Sequence, residues 1–446
     1  MADIGFETIT GPGDVTFEMR LPLYCAYDNL PRHGFSFGLD FYQEEAFDHS
    51  PFTIAARATS GSPVVIDADG LFLGFRNYTG LNESRFRHDG SGNVTVFVPN
   101  GQELLVGRGG DPQAYWREYN RIVMGSIGYT RIEKHPAFWA RPEYCTWVEQ
   151  KYIAQRDVPY GVLTHDMVER FVRSIDEFGY PSGKVTLDHG WAVDPARSGF
   201  GDWIVDREKF PDLSATADMI ASRGHVPGIW FGLAKIHPQS ALARDYPEFL
   251  GKPEMAFASH RSATAEKRNA TIHYLNPAAP LDAFFTELFG RFFQLGFRKF
   301  KIDMSYHEKQ DMIVLSRKLY SAAKAVDPEC EIECHIPDIF GARWTDVVRT
   351  NDVWCVPHKP WFESTQGHYE CCFRSAPGRL INRDHIGGNH PGVTEYDFLT
   401  HLRTFSHGVG YPVVSLLPHH ISDRAVSAVG DYLWQFASDS RVISDF

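Results

Sequence analysis

The sequence predicts an α/β chain with two architectures in series, an N-terminal antiparallel β-sandwich over residues 1–137 and a (β/α)8 barrel over residues 138–446. Three observations carry this. At 446 residues the chain exceeds what one hydrophobic core usually supports. Its first quarter shows short alternating apolar runs broken by turn residues, and from about residue 138 eight apolar runs alternate with segments of helical period.

In the first part the runs are FTIAARA, PVVIDAD, LFLGFRN and NVTVFVP, separated by SGS, DG, TG and DGSG. Alternation with Gly, Asp and Ser punctuation predicts antiparallel strands and tight turns. DPQAYWREYNRIV then reads as a helix, and the Pro-punctuated EKHPAFWARPEY marks the boundary near residue 138.

The eight barrel strands are predicted in YCTWVE, KVTLDHGW, VPGIWFGL, RKFKIDM, CEIECHI, DVVRTNDVW, GRLINRD and YPVVSL. Before RKFKIDM, residues Leu281, Phe284, Phe285, Leu288, Phe292 and Leu295 recur at helical spacing, so these rings pack a helix onto the barrel. ISDRAVSAVGDYLWQF supplies the eighth outer helix. No C-terminal β-domain is expected after it, which leaves that helix open to a second copy of the chain and makes a homo-oligomer an expectation.

Composition narrows the function. A formal net charge of −12 repels phosphate backbones and anionic membrane surfaces, so nucleic acid is not an expected partner. No run of about 18 apolar residues and no leader-like N-terminus is present, so neither a membrane span nor export is expected, and the chain reads as cytoplasmic. Seven cysteines, odd in number and without paired C-x-x-C units, read as reduced thiols. Neither H-E-x-x-H nor a P-loop occurs, and no metal or other cofactor is expected.

In a barrel of this kind the chemistry sits where the strands end, because the loops there converge on one mouth. Reading each strand to its end selects Trp147 and Glu149, then Asp188, His189 and Trp191, then Trp230, then Lys301 and Asp303, then Glu333 and His335, then Arg349 and Asp352, then Asp384. Aromatic faces suit sugar rings, and carboxylates, Lys and Arg hydrogen-bond hydroxyls, so this set resembles a carbohydrate site. Asp303 ends its strand with Lys301 two residues back on the same face, and a nearby ammonium favours an ionised carboxylate. An ionised carboxylate is what a glycosidase nucleophile requires. Asp352, flanked by Arg349 and Trp354, is a candidate second carboxylate. Read as structure alone, the same residues could be a rim ion pair and a helix cap.

Four stretches, LDHGWAVDPARSGFGDWIVDREKFPD with GHVPGIWF, YLNPAAPLDAFF with FRKFKIDM, VVRTNDVW and RDHIGGN, resemble glycoside hydrolase family 31, of the clan that holds families 27 and 36, and its α-galactosidase-type branch. The resemblance implies Asp303 as nucleophile and Asp352 as general acid/base. It further implies that Lys301, Arg349, Asp188 and Asp384 contact the sugar and that Trp230 walls it, and Trp191, from the same strand-end set, is a further candidate for substrate binding. His189 stands where the family carries a second aspartate, so it is expected to read the distant hydroxyls. The implied activity is a retaining, exo-acting α-galactosidase-like hydrolysis of terminal α-linked sugars, with an oligosaccharide or α-glycoside as partner. Alternatives are the same chemistry on a glucoside, xyloside or acidic hexose, and a sugar-binding barrel without catalysis. The resemblance also makes DFYQEEAF, beginning at Asp40, a candidate loop lent by the sandwich to the mouth.

Overall fold

The computed structural model describes residues 4–18, 22–25, 64–67, 70–88, 92–155, 157, 159–193, 200–253, 272–303, 309–334, 338–349, 369, 372–388, 391–405 and 408–446. FTIAARA and DFYQEEAF lie outside them, as do His335, Asp352 and Trp354.

The N-terminal strands are β1 (Glu7–Thr10), β2 (Gly13–Glu18), β3 (Pro22–Cys25), β4 (Val64–Asp67), β5 (Phe72–Phe75), β6 (Arg85–His88), β7 (Asn93–Val98) and β8 (Glu103–Gly107). They form two antiparallel sheets, ordered β1-β8-β5-β4-β3 and β2-β7-β6. Strand β7 shows the cause: Val94, Val96 and Val98 alternate into the core while the residues between them face outward. The two sheets meet through rings such as Phe75 and Phe86, 5.1 Å apart, which supports the sandwich.

The predicted helix is Pro112–Ile127, begun by Asp111, whose side chain accepts from the Gln113 N–H, and by Pro at its first turn. It joins the two parts of the fold. Tyr119 Oη donates to the Phe75 carbonyl of β5, and Asn120 Nδ2 to the carbonyl of Arg374.

The barrel strands are β9 (Glu143–Cys145), β10 (Lys184–Leu187), β11 (Val226–Phe231), β15 (Lys299–Ile302), β16 (Glu331–Cys334), β17 (Val347–Arg349), β18 (Leu380–His385) and β19 (Tyr411–Val414). Each pairs in parallel with the next, and β19 closes onto β9. The expected eight-stranded barrel is present. Between β11 and β15 a small antiparallel sheet intervenes, formed by β12 (Lys235–Ile236), β13 (Leu250–Pro253) and β14 (His273–Leu275), which the sequence pattern did not reveal.

The helix Asp282–Gln294 packs its phenylalanines on the strands' outer faces: Phe289 meets Phe300 edge-on at 5.0 Å and Phe292 meets Phe231 at the same distance. The first barrel strand is shorter than expected. It ends at Cys145, and Trp147 and Glu149 belong to the following helix, Trp147–Ala154. Glu149 Oε2 accepts from the Leu417 N–H, and Oε1 lies 2.8 Å from His420 Nε2, so it ties the first strand's loop to the last.

The barrel interior departs from the usual filling by branched aliphatics. Lys184 pairs with Glu331 at 3.0 Å, and Lys299 lies between Glu143 and Glu333, the latter at 2.9 Å. Asn382 and the Tyr411 hydroxyl both donate to Glu333 Oε2, each at 2.9 Å. Buried charge is costly unless paired, and here each lysine faces at least one glutamate across the lumen. Among the described residues no helix is long and apolar enough to cross a membrane.

Candidate active site

Period-two alternation places Phe300 and Ile302 against the helices and Lys299 and Lys301 in the lumen. Asp303 follows at the mouth, its N–H bonded to the Phe231 carbonyl, so the carboxylate issues from an anchored backbone. Its side chain is 20% exposed, against 4% for Asp188 and 0% for Asp384. Asp303 is therefore the carboxylate of these three open to a ligand. Trp230 Nε1 donates to Asp303 Oδ2 at 3.2 Å, and Arg349 Nη2 donates to Oδ1 at 3.2 Å. Two donors on the ionised form favour a charged carboxylate.

The cation bonded to Asp303 is Arg349, while Lys301, whose charge also interacts with Asp303, makes its own ion pair elsewhere. Lys301 Nζ lies 2.7 Å from Asp188 Oδ2, where the Cys145 thiol also donates at 3.2 Å. Burial opposes the ammonium, yet the Asp188 carboxylate, with Asp303 beyond it, outweighs burial and holds Lys301 well above the usual lysine range. Burial in turn pushes the Cys145 thiol well up, against the pull of Lys301. It is a neutral donor here. Asp188 accepts further at Oδ1 from the His189 N–H, and its own N–H goes to Thr146 Oγ1.

Arg349 joins two carboxylates, donating from Nη1 to Asp384 Oδ1 at 3.2 Å, and its Nε is 4.0 Å from Glu333. Glu333 is held down to about 2: burial would raise it, but Lys299, Lys301 and Arg349 together prevail. Asp384 has φ 62°, a left-handed backbone uncommon outside glycine, with its N–H bonded to Asn382 Oδ1. Next to it, burial followed by the nearby Lys301 and Arg349 charges pushes His385 well below the ordinary histidine range, so a neutral imidazole lies 3.4 Å from Asp384.

The structure thus brings together Asp188, Lys301, Trp230, Asp303, Arg349 and Asp384, with His189 stacked on Trp230 at 4.4 Å. Trp191 is a different case. It is fully buried between Phe231 and Phe292, and its Nε1 donates to the Trp230 carbonyl, so it is core behind the site and not a wall of the mouth. After Leu187 the chain turns at Gly190, φ 136°, and strand parity no longer applies to Trp191. Cys145, Glu143 and Lys299 were missed. The signal available for the last two was the alternation of charged residues inside strands.

Comparison with known proteins adds an independent line. The family model described as Melibiase matches residues 164–304, a span that holds Asp188, His189, Trp230, Lys301 and Asp303. The α-galactosidase AgaA of Geobacillus stearothermophilus is 30% identical over 96 residues, a match that takes in 21% of this chain and 13% of that protein. Among solved structures, an α-galactosidase from Thermus thermophilus in complex with p-nitrophenyl α-D-galactopyranoside superposes with a TM-score of 0.59 at 15% identity, covering 83% of this chain and 75% of that one. The galactosidase domain of the α-galactosidase-sucrose kinase AgaSK gives a TM-score of 0.60 at 14% identity, over 97% of this chain and 63% of that one. At such identity the likeness speaks for the shared fold. These matches overturn the family 31 assignment, because short strand-end motifs do not separate families built on one barrel. Residues 164–304, which hold three of the eight barrel strands, match the Melibiase pattern, and the resemblance to glycoside hydrolase family 31 gives way to it.

Proposed function

We propose that this chain is a retaining, exo-acting, α-galactosidase-like glycoside hydrolase. The observation that carries the reading is the Asp303 carboxylate, held by Trp230 and Arg349 at 3.2 Å each and open at the barrel mouth. The Melibiase match over residues 164–304 supports the substrate class.

In this mechanism Asp303 attacks the anomeric carbon as the leaving oxygen takes a proton, and water then releases the sugar from the covalent intermediate. Asp352 is proposed as the general acid/base. Retention requires its carboxyl to lie about 5–5.5 Å from that of Asp303. Asp188, Lys301 and Arg349 would meet sugar hydroxyls, with Trp230 as the ring-facing wall. Asp384, whose side chain is 0% exposed and accepts from Arg349, is proposed to act on the sugar through that arginine. No cofactor takes part. The division at residues 137 and 138 belongs to the same proposal, as does a cytoplasmic setting, for which the four free buried thiols Cys145, Cys330, Cys334 and Cys372 are the support. A homo-oligomer is supported by Trp434, 56% exposed on the helix Asp423–Ser438.

Hydrolysis of nitrophenyl α-glycosides tests the reading, with galactoside, glucoside, xyloside and an acidic hexoside side by side. Cleavage of the α-galactoside with the α-anomer released first supports it; first release of the β-anomer excludes a retaining mechanism. Preference for another glycoside would redirect the sugar assignment to the alternative substrates.

A further inference from the structure

We infer that His189 is a positioning residue that fixes the indole plane of Trp230, and through it the Asp303 carboxylate. The inference rests on the proposed role of Asp303 and assigns to His189 a task other than reading hydroxyls. The imidazole is the middle ring of a three-ring stack: its centroid lies 4.9 Å from Tyr160 at 28° and 4.4 Å from Trp230 at 12°. Trp230 in turn directs its Nε1–H at Asp303 Oδ2. A tilt of the indole would swing that donor off the carboxylate, since hydrogen bonds weaken steeply away from linearity.

The surroundings hold this stack from outside. Gln150 Nε2 donates to the His189 carbonyl at 2.9 Å and to the Pro159 carbonyl at 3.3 Å, spanning the two backbones that carry the outer ring and the middle one. Lys209 Nζ donates to the carbonyls of Tyr160 at 3.1 Å and Gly190 at 3.0 Å, a second clip across the same gap. Gly190 completes it. A Cβ at that position would lie 2.7 Å from the Tyr160 carbonyl oxygen and 2.9 Å from its Cα, so glycine is what allows the Tyr160 turn to close onto His189. A side chain without a ring at position 189 would leave the space between Tyr160 and Trp230 unfilled.

The test separates ring from hydrogen bond and has a readout that needs no substrate. Protein with 15N-indole tryptophan, the Trp230 signal assigned by Trp230→Phe, reports the Nε1–H bond to Asp303 directly. His189→Phe keeps a ring in the stack and is expected to leave that resonance near its wild-type position. His189→Ala removes the ring and should move the resonance towards where Asp303→Ala, which removes the acceptor, puts it, with kcat on the cleaved glycoside falling about 100-fold, the scale of a catalytic group misplaced by about 1 Å, and KM changing less. His189→Phe should recover most of that loss. Equal losses in both variants, or an unmoved Trp230 resonance in His189→Ala, would overturn the inference. Wild-type protein inactive on every glycoside would remove the proposed hydrolysis while leaving the resonance test of the stack intact.

Discussion

Lys301 and Asp188 form a buried ion pair at 2.7 Å that spans the strand between their own, each side chain 4% exposed. Removing one partner of such a pair leaves an uncompensated buried charge, at a cost of about 3–5 kcal/mol. Lys301→Met and Asp188→Asn should each destabilise on that scale in urea unfolding, and the double variant should cost clearly less than the two together. Strict additivity would show that the pair is not coupled.

Trp230→Phe keeps an aromatic wall but deletes the donor to Asp303. The lost hydrogen bond favoured the ionised carboxylate, so the Asp303 pKa should rise and the acidic limb of kcat/KM should move to higher pH. With the carboxylate no longer held in its attacking position the rate should fall about 100-fold. An unshifted limb measured on Trp230→Phe would mean that the indole does not govern this titration.

The lumen predicts how stability varies with pH, through two glutamates with opposite signs. Burial, outweighing Lys184 and Lys299, raises Glu331 from 4.5 to about 7, so its contribution is full below pH 4.5 and is lost as pH rises through 7. Glu333 is lowered to about 2, so its contribution is present above pH 4.5 and is lost as pH falls towards 2. For these two groups alone the optimum lies near pH 4.5. Glu331→Gln should therefore lose less stability than wild type between pH 4.5 and 7.5, by about 3 kcal/mol, in urea titrations across that range. A larger loss in the variant would reverse the sign assigned to Glu331.

Gly190→Ala tests the turn that seats Tyr160. With φ 136° and backbone 2.7 Å from the added carbon, the variant should lose at least about 1–3 kcal/mol in thermal or urea unfolding. A neutral effect would mean that the turn yields without strain.

How much of this was legible in the sequence depends on the range over which each feature is set. The inward face of Lys301 and the strand-end position of Asp303 follow from period two, a property of neighbouring residues, and were readable. The partner of Lys301 was not, because Asp188 lies 113 residues away and only barrel closure brings it near. Trp191 was misplaced for a local reason, the turn at Gly190, which ends strand parity two residues after Asp188. Thr146, Tyr160 and Gln150 act from a short helix and turn after the first strand, where no periodic pattern marks them. The family assignment failed for yet another reason. Motifs of a few residues at strand ends report the shared geometry of a barrel, whereas the Melibiase match integrates residues 164–304.

The central claim is that Asp303 is the nucleophile of an α-galactoside hydrolase. The most direct measurement is turnover of p-nitrophenyl α-galactoside by wild type and Asp303→Asn, with unfolding curves recorded on both proteins. The account predicts cleavage by the wild type and its loss by a factor of at least about 10³ in a folded variant. Turnover by folded Asp303→Asn within tenfold of wild type would contradict it.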